Sequence, residues 1–108
     1  QVSNRRNAIR SATLKATEKP YETAELALEL LKILPELASK GNSNAVSDVG
    51  VAGLLASAAC KGALFNVDIN LGSLPENYGS EIRINAPHIK EEARVLSRQV
   101  MDAVREKL

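Results

Sequence analysis

The chain has 108 residues, enough for one small domain with one modest core, and only three of them are aromatic. Fourteen basic residues oppose 13 acidic ones, and this balance excludes the strong field of a protein that binds nucleic acid or an anionic membrane. The single cysteine excludes an internal disulfide and fits a reducing cytosol, and no secretory signal pattern follows the first arginines. We therefore expect a cytoplasmic protein whose core is built from aliphatic side chains.

Two helices are predicted in the first 40 residues. Apolar residues at helical spacing indicate a first helix from about Asn4 to Glu18, which Pro20 should end. A second helix should begin near Pro20, with a kink or break at Pro35 and a short continuation over residues 36–39. Gly41 is the predicted stop of this helix.

A long third helix is predicted from about Ala45 to Leu71, with Gly72 as its terminator. It is apolar on nearly every side, so we expect it to be surrounded by protein. Polar residues interrupt the apolar run, which favours a buried helix over a membrane span. The other helices of this chain can hardly enclose it, so another part of the protein, a second copy, or both should cover it.

The rest of the chain predicts a loop over residues 73–87 and a last helix from about Pro87 to Lys107. Within the loop, Glu81 to Asn85 is compatible with a short turn of helix or strand. The sequence thus predicts an all-α fold, a multi-helix bundle around a long buried central helix.

Polar side chains at the two ends of the third helix are the candidates for chemistry. Asn44, Ser47 and Asp48 lie at its beginning, where they also suit a purely local role at the positive end of the helix. Asn42, Asn44 or Ser47 is the predicted cap of this helix. Asn66 and Asn70 lie near its end and suit either a site or hydrogen bonds between helices. Asp48 and Asn66 share a face, but a straight helix separates them by roughly 27 Å. Only two antiparallel copies of the helix, or a bend, would bring them into one site.

Several common sites are excluded by composition. One histidine and one cysteine cannot build a zinc site, and the chain has neither a P-loop nor a dinucleotide-binding fingerprint. We therefore expect no metal and no resident cofactor.

Two motifs carry a family resemblance. Residues 41–48, G-N-S-N-A-V-S-D, match the signature Gly-Asn-x-Asn-x-x-Ser-Asp of the formiminotetrahydrofolate cyclodeaminase / methenyltetrahydrofolate cyclohydrolase family. Residues 62–71, G-A-L-F-N-V-D-I-N-L, are similar to the same family's Gly-Ala-x-x-Asn-Val-x-Ile-Asn-Leu stretch. The resemblance covers nearly the whole chain but only the C-terminal half of the family domain. The N-terminal half normally carries a Pro-x-Pro-Gly-Gly-Gly-Ser turn, which these 108 residues lack.

The resemblance implies an all-α bundle that dimerises and binds a tetrahydrofolate substrate between helices. The implied reaction cyclises 5-formiminotetrahydrofolate to 5,10-methenyltetrahydrofolate and releases ammonia. The alternatives are hydrolysis of 5,10-methenyltetrahydrofolate to 10-formyltetrahydrofolate, or a non-catalytic helical dimerisation module. Activity is expected only together with the N-terminal half of the domain.

Carried over position by position, the two motifs imply a set of site residues. Asp48 would be the catalytic group that accepts and donates protons. The implied substrate-binding residues are Asn42, Asn44, Ser47, Asn66 and Asn70.

Overall fold

The computed structural model describes residues 2–108, which form three α-helices. They are α1 (Val2–Lys40), α2 (Ser43–Gly72) and α3 (Ser80–Lys107), and no strand occurs in this part of the chain. Residues 41–42 and 73–79 make the two connections, so consecutive helices run antiparallel. The Cα atoms extend over 63 × 19 × 15 Å, close to the length that a straight helix as long as α1 requires. The predicted all-α class is confirmed.

The predicted break in the first 40 residues is wrong, because α1 continues through both Pro20 and Pro35. An internal proline costs a helix roughly 3 kcal/mol, since it lacks the N–H and crowds the preceding turn. Tertiary packing offsets that cost here. Thr17 and Ala24 are buried on either side of Pro20, and Leu34 and Ala38 are buried on either side of Pro35.

The predicted third helix is confirmed as α2, with bounds within two residues of those expected. Small residues allow α3 to approach it closely. A β-carbon placed on Gly53 would lie only 2.8 Å from Val100 Cγ1, and one on Gly50 would lie 3.4 Å from Val104 Cγ1. Gly50 and Gly53 therefore allow the close approach of α2 and α3.

The last helix begins earlier than predicted. α3 starts at Ser80 and contains Pro87, so the segment from Glu81 to Asn85 is its first turns and not part of a loop. Gly79 precedes it with a φ of 68°, a left-handed conformation that glycine adopts without strain. The chain turns at Gly79, and α3 begins directly after it, seven residues before Pro87, where the helix was predicted to start.

The three helices leave one side of the molecule apolar and uncovered. α1 and α3 both pack on the glycine-bearing side of α2, so the expected enclosure of α2 on all sides is not met by these helices alone. We call the uncovered surface the open face; its large side chains expose between 42% and 70% of their surface. These side chains are Leu26, Leu30, Ile33 and Leu37 of α1, with Val51, Leu54, Leu55, Phe65 and Ile69 of α2.

α2 is also the one helix within residues 2–108 that is long and apolar enough to cross a membrane. Its buried side packs against α1 and α3, however, and those helices carry charges such as the Lys32–Glu92 pair, with 3.8 Å between Nζ and Oε2. Insertion of α2 into a bilayer would draw these charges toward the hydrocarbon region, at a high cost in free energy.

Candidate functional site

The first turn of α2 is held by Asn42. Its Oδ1 accepts hydrogen bonds from the backbone N–H groups of Asn44 at 3.1 Å and Ala45 at 2.9 Å, which makes it the N-cap. Ser47 Oγ donates to the backbone carbonyl of Asn44 at 3.1 Å. The structure thus gives Asn42 and Ser47 local structural roles, and the capping interpretation is confirmed for Asn42.

Asp48 stands apart from these local bonds. It follows the capped turn, is exposed, and belongs to the open-face side of α2 together with Asn44 and Val51. The side-chain hydrogen bonds described for this turn do not involve its carboxylate. An exposed carboxylate near the positive end of a helix can accept hydrogen bonds from a bound ligand.

Asn66 lines an open groove of about 500 Å³ between α1 and α2. The groove residues are Lys19, Pro20 and Thr23 of α1 and Ala59, Gly62, Ala63 and Asn66 of α2. The groove is shallow and open to solvent. The exposed Asn66 amide can both donate and accept hydrogen bonds to a ligand that lies there.

Asn70 lies at the far end of α2. Its backbone carbonyl accepts hydrogen bonds from the N–H of Ser73 at 3.2 Å and from Ser73 Oγ at 2.8 Å. Its side chain is half-buried and lies outside the Asn66 groove. The structure therefore gives the Asn70 backbone a part in ending α2, and it does not bring the Asn70 side chain into the groove of Asn66.

The candidate residues form two separate groups in one copy of the chain. Asn42, Asn44, Ser47 and Asp48 gather at the beginning of α2, whereas Asn66 lies in the groove eighteen residues further along. The straight helix keeps the two groups roughly 27 Å apart. No bend of α2 brings them together, so a complete site that uses both needs a further element.

Other side chains suited to catalysis are not placed for it. Cys60 is fully buried, and this burial raises the pKa of its thiol, so the reactive thiolate is disfavoured. Its Sγ lies 3.8 Å from the backbone carbonyl oxygen of Ala24. Within residues 2–108, no cluster of three potential metal ligands occurs.

Sequence reasoning missed the contribution of α1 to the groove. Lys19 and Thr23 face Asn66 across it, because α1 continues through Pro20 without a break. The sequence did contain an indication of the continuous helix, since the apolar residues on both sides of Pro20 keep one helical spacing. The proline led to the prediction of a helix end instead.

Two comparisons with known proteins agree with this architecture. The sequence profile described as formiminotransferase-cyclodeaminase matches residues 1–86. The methenyltetrahydrofolate cyclohydrolase of Methylorubrum extorquens is 31% identical over 101 residues, which are 93% of this chain and 49% of that protein. The chain thus spans about half the length of this relative. Most of the chain is covered by both matches, and it belongs to the formiminotransferase-cyclodeaminase family.

Proposed function

We propose that the protein is a folate-dependent enzyme of one-carbon metabolism that forms the 5,10-methenyl bridge of tetrahydrofolate. The reaction would cyclise 5-formiminotetrahydrofolate and release ammonia. The observation that carries the proposal is the Asp48 carboxylate, exposed beside amide side chains on an otherwise apolar helix face. Membership of the family supports it.

The chemistry needs proton transfer and positioning. N10 of the substrate attacks the formimino carbon, a tetrahedral centre forms, and the C–N bond to the leaving nitrogen breaks. Asp48 accepts the proton that N10 loses and returns it to the nitrogen that leaves as ammonia. Holding N10 against the formimino carbon supplies much of the rate enhancement, because the attack is intramolecular.

The groove of Asn66 is proposed as the place for the planar part of the substrate. The Asn66 amide offers both a donor and an acceptor to a pterin edge, and the small residues Ala59 and Gly62 leave room for a ring. Lys19 on the rim is suited to a carboxylate of the folate glutamate. Asn42, Asn44, Ser47 and Asn70 remain candidates for binding polar parts of the substrate.

Hydrolysis of 5,10-methenyltetrahydrofolate to 10-formyltetrahydrofolate is the second candidate. The observation in its favour is the relative that bears the name methenyltetrahydrofolate cyclohydrolase. Water would attack the methenyl carbon and lose one proton to the same carboxylate. The C–N5 bond of the resulting tetrahedral centre would then break as the hydroxyl proton passes to N5, which leaves the formyl group on N10. Both reactions share the methenyl compound, so the same pocket serves either.

Because the chain spans about half of that relative, we propose that the corresponding other half of the domain contributes to activity. We place the reaction in the cytoplasm, in keeping with the single buried cysteine.

The test is a spectrophotometric assay of the full-length protein with each substrate, followed at the absorbance of the methenyl compound. We expect turnover of one substrate, and a fall of roughly 10²- to 10⁴-fold in kcat for Asp48→Asn, because the amide cannot accept the proton. Arg98→Lys, an exposed change on α3, is the matched control and should leave kcat unchanged. Full turnover by Asp48→Asn would remove the catalytic role. Failure to bind tetrahydrofolate in calorimetry would instead favour a non-catalytic dimerisation module.

A further inference from the structure

A small cavity lies between α2 and α3, apart from the groove of Asn66. It has a volume of about 240 Å³ and is more enclosed than that groove, with which it shares no residue. A helix brings residues three, four and seven positions apart to one face, so one face of α2 forms one wall of the cavity. The lining residues are Lys61, Leu64, Phe65 and Asp68 of α2 and Lys90 of α3.

The register of α2 against α3 brings the two lysines to the same end of the cavity. Gly53 lies against Val100 in these antiparallel helices. Lys90, ten positions before Val100, is therefore level with the residue ten positions after Gly53. At 1.5 Å per residue, Lys90 is then roughly 3 Å from Lys61 along the helix axes and roughly 8 Å from Asp68. Two cationic side chains thus share one end of the cavity, and the carboxylate lies toward the other.

Neither of these lysines has a carboxylate partner. Lys19, Lys32 and Lys40 each form an ion pair with a glutamate three or four positions away on α1. No Asp or Glu occupies the corresponding positions around Lys61 or Lys90. Within residues 2–108, neither lysine forms an ion pair with any other element either. An anion held between the two ammonium groups would offset their mutual repulsion.

The remaining side chains of the cavity are apolar. Leu64 is buried and offers an aliphatic contact, whereas Phe65 exposes 66% of its surface and offers an aromatic ring. Apolar side chains with a few polar groups are typical of small-molecule sites. The cavity therefore suits a ligand that combines an anionic group with an apolar body.

We propose that this cavity is a second ligand site, which binds a small monocarboxylate with an aromatic or other apolar body. Lys61 and Lys90 hold the carboxylate, because each ammonium carries three donors on a flexible stem. The body packs against Leu64 and Phe65. Asp68 repels a second anionic group, so the site prefers a monoanion to phosphate or a dicarboxylate. The site is independent of the proposed reaction.

The size of the cavity limits the ligand further. Sites for drug-sized molecules have volumes of roughly 300–1,000 Å³. A cavity of about 240 Å³ admits a single ring with its carboxylate and excludes a peptide or a nucleotide.

The groove between α1 and α3 has the opposite charge and does not offer the same site. Glu25, Glu29 and Glu92 line it together with Lys32. Lys32 already pairs with Glu29 at 3.0 Å and with Glu92 at 3.8 Å. A carboxylate ligand is therefore repelled from that groove and attracted to the cavity between α2 and α3.

Benzoate is the probe that tests the proposal, because it combines one carboxylate with one ring. Ligand-observed NMR titrations of the full-length protein compare its dissociation constant with those of benzamide, acetate and inorganic phosphate. We expect saturable binding of benzoate and at least tenfold weaker binding of the other three. Benzamide lacks the charge, acetate lacks the ring that packs against Phe65, and phosphate is repelled by Asp68.

Substitutions locate the bound benzoate. Lys61→Gln and Lys90→Gln should each weaken its binding about tenfold, the scale of losing one hydrogen bond from a charged group, and leave benzamide binding unchanged. Lys107→Gln removes the same charge from α3 seventeen residues further along, roughly 25 Å away, and is the matched control. All three lysines are exposed, so circular dichroism should show an intact fold in every variant.

Three results would overturn the proposal. Benzoate that shows no saturable binding would remove the site. Binding that is equally tight in wild type, Lys61→Gln and Lys90→Gln would place benzoate elsewhere, for instance in the groove of Asn66. Phosphate that binds as tightly as benzoate would mean that the lysines attract anions of any kind. None of these measurements depends on turnover of a folate, so the proposed function is tested separately.

Discussion

Arg83 ties the end of α2 to the beginning of α3. Its Nη2 donates to the backbone carbonyls of Leu71, Leu74 and Pro75, at 2.9, 3.2 and 3.2 Å, and its Nε donates to that of Tyr78 at 2.8 Å. The last carbonyls of a helix lack partners within the helix and carry partial negative charge. One guanidinium therefore binds one carbonyl near the end of α2 and three carbonyls of the connection that leads to α3.

Replacing Arg83 with lysine should destabilise the fold although the charge is kept. A lysine ammonium cannot spread its donors over four carbonyls, as the planar guanidinium does. We expect a loss of about 2 kcal/mol in the free energy of unfolding, the scale of losing one or two bonds to a charged group. Urea denaturation followed by circular dichroism measures it. Arg98→Lys on the exposed side of α3 is the control and should change stability little. Equal stability of the two variants would contradict the role given to Arg83.

The roles of single residues could be predicted from the sequence only where they depend on near neighbours in the chain. Asn42 could be identified as a possible helix cap, because capping depends on neighbours only two or three positions away. Arg83 could not, because its acceptors lie up to twelve residues away and depend on how the connection folds. Lys19 was likewise missed as a groove residue, since its position opposite Asn66 depends on the packing of α1 on α2.

For whole helices, caps, glycines and prolines predicted the bounds correctly only where tertiary packing favoured the same bounds. The bounds of α2 were predictable because Asn42 and Gly72 lie on either side of a long, mainly apolar segment. The continuity of α1 was not, because the local effect of Pro20 is smaller than the combined burial of its flanking turns. The start of α3 was missed for a similar reason. It depends on the left-handed backbone of Gly79 and on the hydrogen bond from Arg83 to the carbonyl of Tyr78, neither of which is evident from local sequence.

The contact between α2 and α3 should be sensitive to one added methyl group. Gly53→Ala would place a β-carbon 2.8 Å from Val100 Cγ1, and the stiff valine side chain cannot move away easily. The overpacking should outweigh the gain in helix propensity, with a net loss on the order of 1 kcal/mol in thermal or urea unfolding. Gly72→Ala is the matched control, because its β-carbon meets nothing within 4 Å and its φ is not in the left-handed range. If Gly53→Ala were as stable as Gly72→Ala, the close approach of the helices would be wrong.

For the whole molecule, the open face links stability to assembly. Three elongated helices with a thin cross-section bury few side chains completely, and many of the larger apolar ones remain on the surface. A chain of this size has little stability to spare when much of its apolar surface stays in water. Covering that face should therefore add to the free energy of folding.

The melting temperature of the protein should accordingly depend on its concentration. Folding coupled to the dimerisation expected from the family resemblance gains free energy by mass action, so a tenfold increase in concentration should raise Tm by on the order of a few degrees. Leu55→Glu puts a charge among the apolar side chains of the open face and should remove this dependence. Ile84→Glu makes the same change at a similarly exposed position of α3, outside the open face, and should preserve it. Scanning calorimetry over a hundredfold range of concentration compares the three proteins. A wild-type Tm that does not change with concentration would show that the fold gains no stability from a second copy, and the open face would then need its cover from within the same polypeptide.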